Sequence, residues 1–127
     1  PAPVVLDHIA RVKPAAGLGQ PGFQLLLDLA KLKHVWIKIS GADKICNTLV
    51  HSYFGLPFVE VAPYARAVIA AAPERIIWGT DWPHSNNFAP GHTPNDGDLV
   101  DLLAEFAPNE RTRRQILVDN PAVLYGF

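Results

Sequence analysis

Three short apolar segments, each followed at once by polar residues, constrain the fold of this chain most strongly. They are Val4–Leu6, Val35–Ser40 and Arg75–Asp81. The segments between them carry apolar residues at helical spacing, and short apolar strands that alternate with amphipathic helices are typical of parallel βαβ units. The sequence therefore predicts an α/β fold with a parallel sheet. The sheet would be either part of a barrel or part of an open, doubly wound structure.

The helical segments are bounded by turn-forming residues. Apolar spacing predicts one helix over Phe23–Leu32 and a second over Phe58–Ala72, in which Pro63 is expected to cause a break or a kink. The stretches 41–56 and 84–92 are expected to be long irregular loops.

Capping residues predict the helices of the last third of the chain. Thr93 is a candidate N-cap, with Pro94 at the first helical position. Asn109 and Asn120 could each cap a further helix, the last of which would end at Gly126.

The chain is short for the fold that this order of elements suggests. A complete (β/α)8 barrel needs about 250 residues, so a chain of 127 residues could supply three of its eight units. The sequence also begins with Pro1 and contains no methionine. We therefore expect residues 1–127 to form a single, partial domain of a longer protein.

Composition excludes several classes of partner. The chain has 11 basic and 12 acidic residues and a net charge of −1, so the basic excess of a nucleic-acid-binding protein is missing. No apolar run reaches the roughly 18 residues that a membrane span requires. The single cysteine, Cys46, cannot form a disulfide within the chain, which favours a reducing compartment and predicts a cytoplasmic location.

Two residues at predicted strand ends are the main candidates for chemistry, because parallel α/β folds gather function at these ends. Asp81 could be a general base or a metal ligand, or only cap the turn before Pro83. His8 could bind a metal or polarise a carbonyl group, or simply be hydrogen-bonded. The alternation of a strand places His8 on the face of Leu6.

Charged residues near the strand ends are candidates for binding an anionic substrate: Arg11, Lys44 and His84. They could equally be ordinary solvated loop residues. Lys38 lies within a predicted strand and requires either a carboxylate partner, such as Asp81, or access to solvent.

Several motifs together resemble the amidohydrolase superfamily, and in particular its lactone-hydrolase branch, which contains 2-pyrone-4,6-dicarboxylate lactonase. The motifs span nearly the whole chain and are Val4–Arg11, Val35–Lys38, Gly79–His84, Pro94–Gly97 and Asn120–Tyr125. The resemblance implies a (β/α)8 TIM barrel, of which this chain would be the sixth, seventh and eighth βα units.

The resemblance also implies roles for individual residues. Asp81 matches the aspartate that ends the eighth strand and activates the attacking water, and His8 matches the histidine that ends the sixth strand. In metal-dependent members both would bind one divalent ion, zinc or manganese, whereas other members use none. Lys44 stands where the pyrone lactonase has an arginine that binds a substrate carboxylate, and Arg11 keeps the basic residue of the family.

The sequence therefore predicts a hydrolase that opens a carboxylated lactone with water activated by Asp81. The expected partners are an acidic small molecule and either the rest of the barrel or a second copy of the chain. The fragment alone is expected to be inactive. The alternatives are a metal-dependent decarboxylase of the same superfamily and a half-barrel without catalytic activity.

Overall fold

The three predicted strands form one parallel sheet. The computed structural model describes residues 2–46, 56–85 and 93–127. Its strands are β1 (Val4–Leu6), β2 (Val35–Ile39) and β3 (Ile76–Trp78), and they lie in the order β1-β2-β3. The chain is therefore an α/β protein with a parallel sheet, as the sequence predicts. The middle strand pairs with both neighbours, Leu6 lying opposite Ile37 and Trp78 opposite Ile39.

Helices connect the strands and follow the last one. Their bounds are α1 (Pro21–Ala30), α2 (Ala42–Ile45), α3 (Ala62–Ala71), α4 (Asp96–Phe106), α5 (Glu110–Arg114) and α6 (Asn120–Tyr125). Short 3-10 turns lie at Pro14–Ala16, Val59–Val61 and Pro73–Arg75.

The core lies between the helices and one face of the sheet. Ile37 and Ile39 of β2 are each 1% exposed and pack in one cluster with side chains of α1, α3 and α4. Lys38, between them, is only partly buried. This alternation is what a strand of period two requires, and it places Ser40, the next residue along, on the same face as Lys38.

Two predictions about the middle of the chain need correction. Pro63 neither breaks nor kinks a helix, because α3 begins at Ala62 and the proline occupies its first turn, where a missing N–H costs no hydrogen bond. The stretch 41–56 is not wholly irregular, since it begins with the short helix α2. Residues 47–55 of the first predicted loop and 86–92 of the second lie outside the described residues.

Two predicted helix starts are also wrong. The N-cap of α4 is Asn95 and not Thr93, because the Asn95 side chain accepts a hydrogen bond from the Gly97 amide at 2.7 Å. Asn120 has helical backbone angles and caps nothing. Its buried side-chain amide instead donates hydrogen bonds to two backbone carbonyl groups.

The last helices form one continuous run. A wide π turn over Gln115–Asp119 joins α5 to α6, just before Pro121, which has no N–H to give to the carbonyl group four residues earlier. Asn109 caps the run as predicted, and Gly126 ends it with a φ of 77°. Within the residues that the structure describes, no helix is both long and apolar enough to cross a bilayer.

Candidate active site

Three side chains predicted to be functional converge at the carboxyl ends of the strands. The Asp81 carboxylate lies beyond β3, and one of its oxygens, Oδ1, is 3.7 Å from His8 Nε2. Its other oxygen, Oδ2, forms an ion pair with the Lys44 ammonium group. Asp81 has a φ of 77°, in the left-handed region that residues other than glycine rarely adopt. The chain therefore accepts local strain where it presents this carboxylate.

His8 reaches Asp81 through an unusual turn. Its strand ends at Leu6, and residues 8–11 all have positive φ values, between 48° and 55°. This left-handed turn overrides the simple alternation of a strand, so the prediction that His8 shares the face of Leu6 is wrong. Leu6 packs against the core, whereas the His8 ring extends toward Asp81 and places Nδ1 2.9 Å from the Ser40 hydroxyl oxygen.

Lys44 comes from α2, the short helix after β2. Its side chain is 10% exposed, and that of Asp81 is 18% exposed. The attraction between charges so withdrawn from water is stronger than on the surface, because water screens it poorly. Lys44 thus holds the Asp81 carboxylate in place. Whether it also binds a substrate anion stays a prediction.

The other two predicted substrate-binding residues lie in different settings. Arg11 ends the left-handed turn with an exposed side chain, which leaves its guanidinium group open to an anion. His84 is 2% exposed, and its Nε2 lies 3.2 Å from Asp96 Oδ1 at the start of α4. This contact joins the segment after β3 to α4. The sequence had predicted that His84 lies in an open loop, where it could bind an anion.

The described residues supply part of a metal site. His8 Nε2 and Asp81 Oδ1 are close enough to serve as two ligands of one ion. Asp43, Asp81 and His84 form a second group, whose ligand atoms lie within 4.8 Å of one another. The Lys44 ammonium group already supplies positive charge at Asp81.

Two interactions at the strand ends were not foreseen from the sequence. The first is the contact between the Ser40 hydroxyl group and His8 Nδ1. The partner of Lys38 is the second: Nζ lies 3.5 Å from Asp7 Oδ1, so the carboxylate that this lysine was expected to need is not Asp81. Gly79 lies beside the Lys38 stem, since a Cβ there would be 3.2 Å from Cε.

Comparison with known proteins identifies the family. The model of the family described as "Amidohydrolase" matches residues 1–127, the whole chain. The chain belongs to this family.

Its relatives include lactone-opening enzymes. A 4-sulfomuconolactone hydrolase from Rhizobium radiobacter is 51% identical over 124 residues, which cover 98% of this chain and 40% of the relative. A 2-pyrone-4,6-dicarboxylate hydrolase from Comamonas testosteroni is 37% identical, over 98% of this chain and 41% of the relative. This amidohydrolase chain thus spans about two fifths of the length of these relatives.

A similar structure has also been solved. It is a probable 2-pyrone-4,6-dicarboxylic acid hydrolase from Acinetobacter baumannii with citric acid bound. It is 26% identical and superposes with a TM-score of 0.76, over 98% of this chain and 44% of that one. The likeness again extends over nearly the whole amidohydrolase chain described here.

Proposed function

We propose that the full-length protein hydrolyses a lactone that carries an anionic group, with Asp81 as the base that activates water. One observation carries the proposal: the three strand ends bring a carboxylate, an imidazole and an ammonium group into contact. The chain is also 51% identical to a hydrolase of a sulfonated lactone.

Each of these groups has a chemical task in the proposed reaction. Asp81 takes a proton from a water molecule while the water oxygen attacks the carbonyl carbon of the ring. The charge that develops on the carbonyl oxygen is stabilised by the Nε2–H of His8, with the Lys44 ammonium group nearby. The acyl C–O bond of the ring then breaks, and the proton held by Asp81 passes to the departing ring oxygen. The product is an open hydroxy acid or its keto tautomer.

Sequence identity favours a substrate that carries a sulfonate over the pyrone dicarboxylate predicted from the sequence. Identity is 51% to the sulfomuconolactone hydrolase and 37% to the pyrone dicarboxylate hydrolase. Lysine also fits this choice, because a sulfonate spreads its charge over three oxygens and does not require the planar fork that arginine offers a carboxylate. The ratio of kcat/KM for 4-sulfomuconolactone and for 2-pyrone-4,6-dicarboxylate measures the preference. A higher value for the dicarboxylate would restore the pyrone dicarboxylate as the preferred substrate.

The (β/α)8 barrel is part of the same proposal. Three parallel strands that neighbour one another in chain order are what three successive units of such a barrel provide. The solved relative from Acinetobacter supports this reading, since its likeness covers 98% of this chain but 44% of its own. We infer that this chain forms units six to eight, and that the rest of the barrel supplies the remaining active-site groups.

A divalent ion would fit the proposed site with His8 and Asp81 as two of its ligands. Asp81 Oδ1 and the lone pair of His8 Nε2 would hold it, so an ion-bound His8 would not carry the Nε2–H used above. When bound, such an ion polarises a carbonyl group and lowers the pKa of a bound water molecule. The proton transfers above use Asp81 alone, and His8 serves there as a hydrogen-bond donor.

Replacement of Asp81 by asparagine in the full-length protein tests the proposal. General-base catalysis contributes about 10²- to 10⁴-fold, so Asp81→Asn should lower kcat by that factor while substrate binding stays measurable by calorimetry. Asp28→Asn is the matched control, because Asp28 is an exposed residue of α1 paired with Lys31. Turnover by Asp81→Asn at the rate of this control would remove Asp81 as the base.

A further inference from the structure

We propose that Ser40 is a positioning residue for His8, and that its hydroxyl group holds the imidazole in the tautomer protonated on Nε2. This inference rests on the proposed function, in which that Nε2–H stabilises the oxyanion. Ser40 directly follows β2, is 5% exposed and lies with its Oγ 2.9 Å from His8 Nδ1. The mechanism above gives this buried hydroxyl group no task.

The surroundings of the ring decide the direction of this hydrogen bond. A hydroxyl group can donate or accept, and a neutral imidazole carries its proton on either nitrogen. Here Nε2 faces the Asp81 carboxylate at 3.7 Å. A proton on Nε2 is attracted to that negative charge, whereas a lone pair there would be repelled. Nδ1 is therefore the acceptor and the Ser40 hydroxyl group is the donor.

Gly41 confines the ring in this position. An ideal Cβ on Gly41 would lie 2.6 Å from His8 Nδ1 and 3.1 Å from Cγ, both too close for ordinary contact. The imidazole thus packs directly against bare backbone, with the Ser40 hydroxyl group at its Nδ1. Two consecutive residues after β2 therefore fix both the place and the protonation of His8, as partners of a functional histidine often do.

Nitrogen NMR of the full-length protein labelled with ¹⁵N-histidine tests the tautomer. Two-bond couplings from the ring protons show which nitrogen carries the proton, and a His8→Gln sample assigns the signals. We expect wild type and Ser40→Thr to show the Nε2–H form. Ser40→Ala should raise the fraction of the Nδ1–H form, because the Asp81 carboxylate alone then favours Nε2–H. An unchanged tautomer in Ser40→Ala would overturn the proposal.

Kinetics supply a second readout. The net value of one hydrogen bond corresponds to about threefold to tenfold in rate. We therefore expect Ser40→Ala to lower kcat by that factor with little change in KM, and Ser40→Thr to restore it. If Ser40→Thr does not fold, Ser40→Cys replaces it, because the cysteine side chain has a similar shape and keeps a weaker hydrogen-bond donor. Thr112→Ala removes a hydroxyl group from α5 and serves as the control.

A double-mutant cycle separates positioning from a general effect on folding. If Ser40 acts through His8, Ser40→Ala should cost nothing further in a His8→Gln background. Equal losses in both backgrounds would assign Ser40 a structural role and refute the proposal. Turnover that survives in Asp81→Asn would instead refute the proposed function, and the NMR spectra would still decide the role of Ser40.

Discussion

Gly41→Ala offers a sharp test of how the site is built, because the substitution adds one methyl group beside His8. Gly41 has φ and ψ of 58° and 43°, so alanine there incurs the left-handed penalty of about 1 kcal/mol. The new Cβ would also meet His8 Nδ1 at 2.6 Å. The new Cβ is attached directly to the backbone and cannot rotate away. The imidazole is therefore the group that must move.

The size of that movement sets the expected loss of activity. To regain ordinary contact the ring must withdraw by about 0.8 Å. A displacement of about 1 Å at a reacting group can cost about 10²-fold in rate. We therefore expect Gly41→Ala to lower kcat/KM by roughly 10- to 100-fold and the free energy of unfolding by about 1–2 kcal/mol.

Gly126→Ala is the matched control, and both variants are assayed in the full-length protein. Gly126 has φ and ψ of 77° and 37°, and a Cβ there meets nothing within 4 Å. It carries the same backbone penalty, about 1 kcal/mol, without the clash. Lactone hydrolysis and urea unfolding measure the two effects separately. If Gly41→Ala loses no more kcat/KM than Gly126→Ala, the close packing of His8 on Gly41 has no catalytic importance.

Three further outcomes are expected. Asn120→Ala should lower the free energy of unfolding by about 2 kcal/mol in urea denaturation, because one buried and one partly buried carbonyl group lose their donor. A loss smaller than that of Asn109→Ala, which removes one exposed cap, would contradict this. Burial first, and then the negative charge of Glu60, raises the pKa of the Cys46 thiol to about 12. Its protonated form predominates below that pH, so Ellman's reagent at pH 8 should react with it only after unfolding, and rapid reaction of the folded protein would refute the burial. Ala10→Gly should raise the midpoint of thermal unfolding, since Ala10 is exposed at a φ of 51° and glycine relieves about 1 kcal/mol of strain; a lower midpoint would show that this turn is not strained.

The sequence predicts the order of the elements and the place of the site well, for a physical reason. Strands that pack against a core produce short apolar runs, and these end where polar residues begin. The three runs mark β1, β2 and β3 to within a few residues. Because the carboxyl ends of parallel strands share one edge, Asp81 and His8 could be expected to lie together.

Helix starts were predicted less well, because several residues can cap a helix and only contacts decide between them. Thr93 and Asn95 are both good N-caps by residue type, but the Asn95 side chain is the one that bonds the Gly97 amide. Asn120 is also a good cap in isolation. In the structure its side-chain amide instead donates hydrogen bonds to two carbonyl groups near β3, which are distant in sequence.

The contacts within the site were beyond prediction because they depend on left-handed backbone. Periodicity assumes that a strand continues, yet His8 and Asp81 follow strands that have already ended and both have positive φ. Histidine and aspartate are several-fold enriched in such conformations, but that enrichment does not single out an individual residue in the sequence. Gly41 was the one residue whose type indicated a left-handed backbone or a close approach at a strand end. Its neighbour Ser40 could have been paired with His8 on that basis.

The middle strand explains why these strained residues hold their places. β2 pairs with both neighbours, and the residues that follow it contact the groups that follow the other two strands. Ser40 bonds His8 beyond β1, and Lys44 bonds Asp81 beyond β3. The register of three short strands thus sets the distance between the imidazole and the carboxylate. Strand pairing also offsets the strain of the left-handed residues, which is of order 1–3 kcal/mol for each. A shift of β2 by one residue would reverse its faces and break both contacts at once, so the pairing of this strand controls the geometry of the whole site.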